Sequence, residues 1–538
     1  MHTEQQQGSR LVLGVLAAAT FVMTLDTSVM NVSIASVAND LGTTVQGIQG
    51  AITWYTLVMA SLMITGGKLG ARFGRRKIFG IGLAIYACGS LTTALSPSLG
   101  VLMFGWSFLE GVGAALILPA IVALVASNFA PAERPRTYGL MAAASALAIS
   151  AGPLIGGAVT TFASWRWVFV AEVVIVVGIF PFLRKIKDVA PVAQGRFDYL
   201  GAVLTVVGLA LLVLAVLRAP EWGWVQPKPG APSVLGISPV VWLLIASIIV
   251  LSGFFEYERH RSAMKRDVMV QPKMLEVLQL RAGLLAFFLQ YLAQMAIFFT
   301  VPLYLSVVLE LTALQTGIRL VPLSLALLLG AALTPKLGAK VASVHLARLG
   351  FALMLLGTLS FMTSISPQSG AEIVALPMLL IGLGMGILAS QLGAITVASV
   401  PDSEAADVGG LQNTVTNFGA SLGTAIAGAV LITQLSHHAL VNLPGTNMSS
   451  YAQKSVTVQL EQGVPFISNS QLRAVLSPAY PPGEVEAMVQ LNTTSRIGAL
   501  HDALAVIAVV EAGAILLVGR LPKRPVAELT PPPEPQLA

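Results

Sequence analysis

Apolar runs of roughly twenty residues, separated by short polar turns, recur along almost the whole chain. A helix needs about that length to cross the hydrocarbon of a bilayer. Such runs fall near 12–35, 48–67, 78–95, 101–125, 137–160 and 167–183. Two more lie near 198–217 and 239–256, and six near 282–306, 316–334, 346–365, 373–396, 409–434 and 501–520. The pattern predicts an all-α polytopic membrane protein with fourteen spans, and an even number puts both termini on one side.

The basic residues support that count. With the N-terminus in the cytoplasm, 24 of the 31 Lys and Arg residues fall on inside segments. A missed span would move every later loop to the other side and destroy this asymmetry. Both termini are therefore expected inside. Two connections are long. Tyr257–Leu280 is polar and basic and is expected to lie along the cytoplasmic surface. The external segment 435–500 is rich in Ser, Asn, Gln and Pro, with short amphipathic helices expected around Gln471–Leu476 and Glu484–Leu491. The tail Pro525–Ala538 is proline-rich and reads as disordered.

Composition narrows the class. The chain is 55% hydrophobic and 10% charged, with mean hydropathy +0.80, against roughly 25% charged residues in a soluble domain. A net charge of +6 would suggest nucleic acid in a soluble protein; here it reflects basic cytoplasmic loops, and no nucleic-acid partner is expected. The single Cys88 excludes an internal disulfide, and no Cys/His cluster has metal-site spacing, so neither metal nor cofactor is expected. Only Arg10 precedes the first apolar run and no small-residue cleavage site follows it, which reads as a retained span. No Gly-x-x-x-x-Gly-Lys-[Ser/Thr] loop occurs, so direct ATP use is not supported. No nucleophile–base pairing suggests an enzyme.

Gly67–Lys77 places five cations, Lys68, Arg72, Arg75, Arg76 and Lys77, between two spans. These charges hold the turn at a membrane face, and Gly67, Gly70 and Gly74 allow a sharp, close turn. This stretch resembles the Gly-x-Leu-x-Asp-Arg-x-Gly-Arg-Arg loop of major facilitator transporters. Leu25-Asp26-Thr27-Ser28-Val29-Met30-Asn31-Val32 is similar to the first-span signature of the fourteen-span drug/proton antiporter branch, of the multidrug resistance type. Gly152-Pro153-Leu154-Ile155-Gly156-Gly157 resembles the exporters' Gly-Pro-x-x-Gly-Gly segment, and Trp165-Arg166-Trp167-Val168-Phe169 their entry to the sixth span. The sequence departs from the branch at three places. Ala71 stands where the loop usually carries Asp; Ser107 and Glu110 stand for the fourth-span Arg and Gln; Glu172 stands where Asn is common.

The resemblance implies a six-helix half over 1–190, two extra spans with a cytoplasmic linker over 191–275, and a second six-helix half over 276–538. It implies a plasma-membrane exporter of lipophilic or amphiphilic, often cationic, compounds driven by protons, a monomer with an accessory export protein as an optional partner. A lipid or cell-envelope precursor exporter on the same fold, not necessarily proton-coupled, is the alternative; an uptake permease fits the exporter segment less well.

Within this frame the intramembrane polar residues acquire roles. An ionised carboxyl in hydrocarbon costs several kcal/mol, so such a group is functional or held neutral. Asp26 and Glu110 each lie some nine or ten residues below the outer end of their spans, about 14 Å down at 1.5 Å per residue. They are expected to face each other across a central cavity and to handle protons, the bland alternative for Glu110 being a neutral acid bonded to a neighbouring helix. Glu172 is expected to snorkel outward or to pair with Arg166, and Arg319 to snorkel. Gln290 and Gln294 with Tyr291 and Phe298, together with Asn31, Trp54, Tyr55, Asn413 and Asn417, are candidate cavity residues, with ordinary packing as the competing reading. Gly67, Arg72, Gly74, Arg75 and Arg76, and Gly152, Pro153, Gly156 and Gly157, are candidate hinge positions. Pro153 bends its span by removing a backbone hydrogen bond, either to seal the cavity or as a plain kink.

Overall fold

The computed structural model describes residues 2–129, 134–188, 198–228, 230–264, 266, 268–338, 340–366, 369–400, 405–462 and 466–525. Helices account for the regular structure among them, apart from one bridge between Val234 and Ile237. The first half contains α1 (His2–Asp40), α2 (Val45–Phe73), α3 (Arg75–Ala94) and a composite α4, which runs from Leu99–Leu102 through a π-helical Met103–Glu110 into Gly111–Asn128. It ends with α5 (Arg134–Phe162) and α6 (Arg166–Ile179). Next come α7 (Tyr199–Trp222) and α8 (Pro239–Ala263), which pack on each other while α7 lies against α2.

The second half holds α9 (Leu278–Leu303), α10 (Ala313–Arg319 and Val321–Gly338), α11 (Ser343–Ser364), α12 (Ala375–Val397) and α13 (Ala405–Asn442). It closes with α14 (Ser450–Gln462), α15 (Asn469–Leu476) and α16 (Pro482–Leu517). Every predicted span falls on a helix. Thirteen are long and apolar enough to cross a membrane among the described residues. The predicted span 137–160 falls on α5, where several side chains between 134 and 150 lie outside the described residues. The proline-rich tail from 526 onward lies outside them too.

Two expected connections fold differently. The segment after α8 does not simply lie on the surface. Helix α8 continues to Ala263, and the Glu258 carboxylate accepts hydrogen bonds from the backbone N–H groups of Met269 (2.7 Å) and Val270 (3.1 Å). Met269, Val270 and Met274 are consequently buried. Asp198, the α7 N-cap, accepts bonds from Gly201 N–H (2.9 Å) and from the Tyr257 hydroxyl (3.0 Å), and pairs with Arg261. This polar knot fixes the two additional helices to the linker.

The segment 435–500, expected outside, is also more ordered than its composition suggests. Glu484–Leu491 is not a separate helix but the opening of α16, which is 36 residues long, or about 54 Å. Its Met488 and Leu491 pack with Leu443, Met448 and Ala452 into a small apolar cluster outside the spans. Helix α15 forms as expected, with a capping box between Ser468 and Gln471. Arg496 ties this cap to the bundle: it is 0% exposed and donates to the carbonyls of Val307 (3.0 Å) and Ile467 (2.9 Å) and to Asn469. Glu310 holds a second point. It takes a left-handed φ of 54° and accepts bonds from the Ser470 hydroxyl and N–H.

Replacing Arg496 by Met leaves buried carbonyls without donors, each costing on the order of 1–3 kcal/mol. Thermal unfolding of the purified R496M protein is expected several degrees below wild type. Partial burial opposes ionisation of Glu310, but the bonds from Ser470 and Ser468 and the charge of Arg496 outweigh it and hold the carboxyl below its ordinary value. A depressed folded value means the stabilisation is present above the usual carboxylate range and is lost as pH falls through it. Protection factors of the α15 amides, corrected for intrinsic exchange at each pH, are therefore expected to fall on acidification in wild type, and to be low at all pH values in E310Q.

Candidate carboxyl cluster and the seam between the halves

Asp26 projects from the middle of α1 into the interior of the first half and is 0% exposed. Its two oxygens accept from one donor, the Trp106 indole N–H, at 2.9 and 2.8 Å. The Trp106 ring lies flat on Tyr55 of α2, with centroids 5.0 Å apart and planes 6° apart. The Tyr55 hydroxyl points toward Asp26 but completes hydrogen-bond geometry with no partner.

Trp106 and Glu110 both belong to the π-helical stretch of α4. The wider π turn places residues four apart nearly in line, and such turns are often found at functional sites. Glu110 is directed at α3, and two glycines, Gly89 of α3 and Gly105 of α4, make room. A Cβ at Gly89 would stand 2.6 Å from Glu110 Cγ, and one at Gly105 would stand 2.7 Å from Thr93 Oγ1. The helices therefore cross in contact, and the Thr93 hydroxyl donates to Glu110 Oε1 at 3.2 Å.

Glu172 of α6 completes the cluster. It is 2% exposed and accepts from the hydroxyls of Ser90 (3.1 Å) and Tyr86 (3.4 Å). Oxygens of Asp26, Glu110 and Glu172 all lie within 4.8 Å of one another. Two unit charges at that distance repel by roughly 3 kcal/mol at an effective dielectric of about 20. No Lys, Arg or His pairs with any of the three among the described residues. Glu110 Oε2 and Glu172 Oε1 have no hydrogen-bond partner. A cluster built this way binds positive charge and cannot stay fully ionised.

Residues on the same helices reach the seam between the halves. Gln49 donates to Thr424 O (3.0 Å), Ser421 to Thr53 O (3.2 Å), Leu314 N–H to Thr161 (3.0 Å) and Gln471 to Asn39 (2.7 Å). All four bonds sit toward the face carrying the α1–α2 turn, so the halves are fastened there. Helix α5 meets α10 without side chains between them: Gly157 faces the Ala313 carbonyl, and Gly317 faces that of Pro153. Pro153 lacks the N–H that would bond Ile149 O four residues back. Ser28 of α1 donates to that carbonyl instead, at 3.3 Å. A small apolar cavity opens beside this joint, with Ser28 and Asn31 on one side and Phe298, Val301 and Leu323 on the other.

At the opposite face Gly74 turns the chain with φ 99°. Asp188, beyond the end of α6, accepts from the backbone N–H groups of Arg75 (3.0 Å) and Arg76 (3.3 Å), capping α3. Arg75 donates to Ala123 O and Arg76 to Ile186 O. A carboxylate is thus present at this turn, supplied by Asp188, although position 71 is alanine. A cavity of roughly 100 Å³ lies here, lined by Lys68, Ala71 and Arg75 with Met63, Met269 and Leu411.

Residues 16–424 match the family described as the Major Facilitator Superfamily. This chain belongs to that superfamily. Among its relatives is the cephamycin export protein CmcT of Amycolatopsis lactamdurans, 29% identical over 433 residues, which cover 79% of this chain and 85% of the relative. The tetracenomycin C resistance and export protein of Streptomyces glaucescens is 27% identical, covering 78% and 75%. The multidrug resistance protein Stp of Mycobacterium tuberculosis is 25% identical, covering 77% and 74%. A bacterial homologue of the human lysosomal transporter Spinster, inward-facing and unoccupied, superposes with a TM-score of 0.58 at 13% identity, over 95% of this chain and 98% of that one. An auto-inhibited POT family peptide transporter gives 0.54 at 15% identity, covering 93% and 96%. The chain is a multi-pass membrane protein with the major facilitator fold.

The superfamily frame separates the sequence-based site residues. Asp26 and Glu110 do come together, but inside the first half and not across the cavity between halves. Glu172 neither snorkels nor pairs with Arg166. Six residues make about 600° of helical rotation, so the two side chains diverge. Arg166 instead pairs with Asp40, donates to Ser96 O at 2.7 Å and lies over the Trp165 ring. Arg319 is exposed.

Of the candidate cavity residues, Asn31 and Phe298 line the cavity beside the seam. Tyr55 belongs to the carboxyl cluster. Gln290 and Gln294 are buried in the packing of α9, where Tyr291 leans on Phe287. Asn413 and Asn417 bond carbonyls of their own helix, and Trp54 is half-buried. Ser107, in the place of the family's Arg, donates to Ala51 O at 2.8 Å. Of the hinge candidates, Gly74, Arg75 and Arg76 meet the Asp188 cap, Gly67 lies against Pro119, and Arg72 lies over the Phe73 ring. Gly152, Pro153, Gly156 and Gly157 line the α1–α5–α10 joint, with Gly152 against Ser28 and Gly156 against Val29.

Sequence reasoning gave no part to Asp188, although it is an isolated acid directly after Arg184-Lys185-Ile186-Lys187. It also passed over Glu511, a fully buried acid of α16 that accepts from Thr358 at 3.2 Å. Asp188→Ala removes the cap of α3, worth about 1 kcal/mol. Hydrogen–deuterium exchange at Arg75 and Arg76 is expected to rise about fivefold, with exchange around Trp106 unchanged.

Proposed function

We propose that this transporter exports lipophilic or amphiphilic compounds from the cytoplasm across the plasma membrane in exchange for protons, with both termini inside. The observation that carries the reading is the pair Asp26 and Glu110, buried together without a basic partner. A group so placed gains and loses charge by taking up a cation, and the proton is the cation that a fully buried site admits with least rearrangement. Ser28 and Asn31, which line the seam cavity, stand two and five residues beyond Asp26 on α1. A change of charge in the cluster around Asp26 therefore acts on the helix that also lines the seam cavity. Alternating access follows if the loaded and unloaded clusters favour different seam arrangements. The antibiotic-export names of the relatives support a drug-like substrate. The Lys68- and Arg75-lined cavity near the turn favours a second reading, in which the compound carries an anionic headgroup, as a lipid or envelope precursor does.

Inverted membrane vesicles separate the readings. A fluorescent cationic dye should accumulate when the vesicle lumen is acidic, so that protons leave as dye enters, and Asp26→Asn or Glu110→Gln should cut the gradient-driven part at least tenfold. Accumulation that ignores the gradient and both substitutions would overturn proton coupling. Asn31→Ala and Phe298→Ala should change initial rates severalfold, by different factors for two dyes of different shape, while leaving gradient dependence intact.

A further inference from the structure

We infer that Glu172 is a third member of the coupling site and that the site exchanges two protons, not one, in each transport cycle. This rests on the proton-coupled reading above.

The donor inventory sets the count. Asp26 receives the Trp106 N–H on both oxygens, at 2.9 and 2.8 Å, which suits an ionised carboxylate. Glu110 receives one hydroxyl, from Thr93, on Oε1. Glu172 receives the Ser90 and Tyr86 hydroxyls on Oε2 alone. Glu110 Oε2 and Glu172 Oε1 therefore stand bare in a space that water does not reach in bulk. The Tyr55 hydroxyl, 1% exposed and also without a completed bond, points into the same space from α2.

The groups facing the cluster from each packed element are Asp26 on α1, Tyr55 on α2, Tyr86 on α3, Glu110 on α4 and Glu172 on α6. None of them is basic. With oxygens within 4.8 Å of one another, the site holds one negative charge against Trp106 and carries a proton on each of the other two acids. Releasing both protons leaves three adjacent charges, the state that rearrangement of the half has to relieve. Export of an uncharged compound then moves two positive charges inward per cycle, and export of a monocation still moves one.

Infrared titration of the purified full-length protein tests this without any substrate. The pH-sensitive carbonyl stretch of protonated carboxyls that disappears in the E110Q/E172Q double variant defines the site. Half of that band is expected to be lost in E172Q alone, and all of it retained in E172D, which keeps the acid. Thermal unfolding of each variant shows that the comparison is between folded proteins, and E110Q gives the same halving if E172Q does not fold. A band unchanged in E172Q overturns the inference, as does displacement of the band by sodium at constant pH, which would make the second charge a metal ion. A wild-type protein with no such band overturns the proton-coupled reading itself, so the two failures are distinguishable.

Discussion

An acid enclosed in an apolar bundle needs a cation or a proton, and the first half of this protein is arranged around three acids that have no basic partner among the described residues. The supporting parts are unusual for helix packing. One indole N–H covers both oxygens of Asp26. A π-helical stretch aligns that indole with Glu110. Glycines on α3 and α4 let the backbones touch so that the Glu110 stem fits over Gly89. A side chain larger than hydrogen at either glycine would force the helices apart and pull the third acid away from the other two. Close packing and charge clustering are here the same constraint.

That constraint also explains why the site sits in the half and not in the seam. Carboxyls in a water-filled cavity between halves would be solvated and weakly coupled to each other. Inside the half they interact in a low-dielectric space, and a change of one proton is felt by α1, α2, α3, α4 and α6 together. The seam stays apolar and is fastened by backbone-directed bonds such as Ser421 to Thr53 O and Gln49 to Thr424 O. Such bonds release and re-form without stranding a charge.

Hydropathy made the spans legible because a twenty-residue apolar run has few alternatives in the presence of a bilayer. The carboxyl pair was legible for the same reason: Asp26 and Glu110 stand out against hydrocarbon. The third acid was not. Glu172 lies close enough to a helix end to read as a snorkelling residue, and nothing in a single sequence tells which neighbour a helix face meets. The long α16 was hidden by its polar stretch Asn492-Thr-Thr-Ser, which reads as loop until Met488 and Leu491 are seen packing on Met448 and Ala452. Asp188 was invisible because it acts on Arg75 and Arg76, more than a hundred residues away in sequence.

The two faces of the molecule are held by different physics. At the Gly74 turn, Asp188 meets backbone N–H groups at the start of α3, a local cap within one half. At the other face, Gln471 of the cap segment bonds Asn39, and Leu314 bonds Thr161, so the contacts run between halves. The Gly157–Ala313 and Gly317–Pro153 contacts add backbone-on-backbone packing to the same face. Opening that face has to break all of these together.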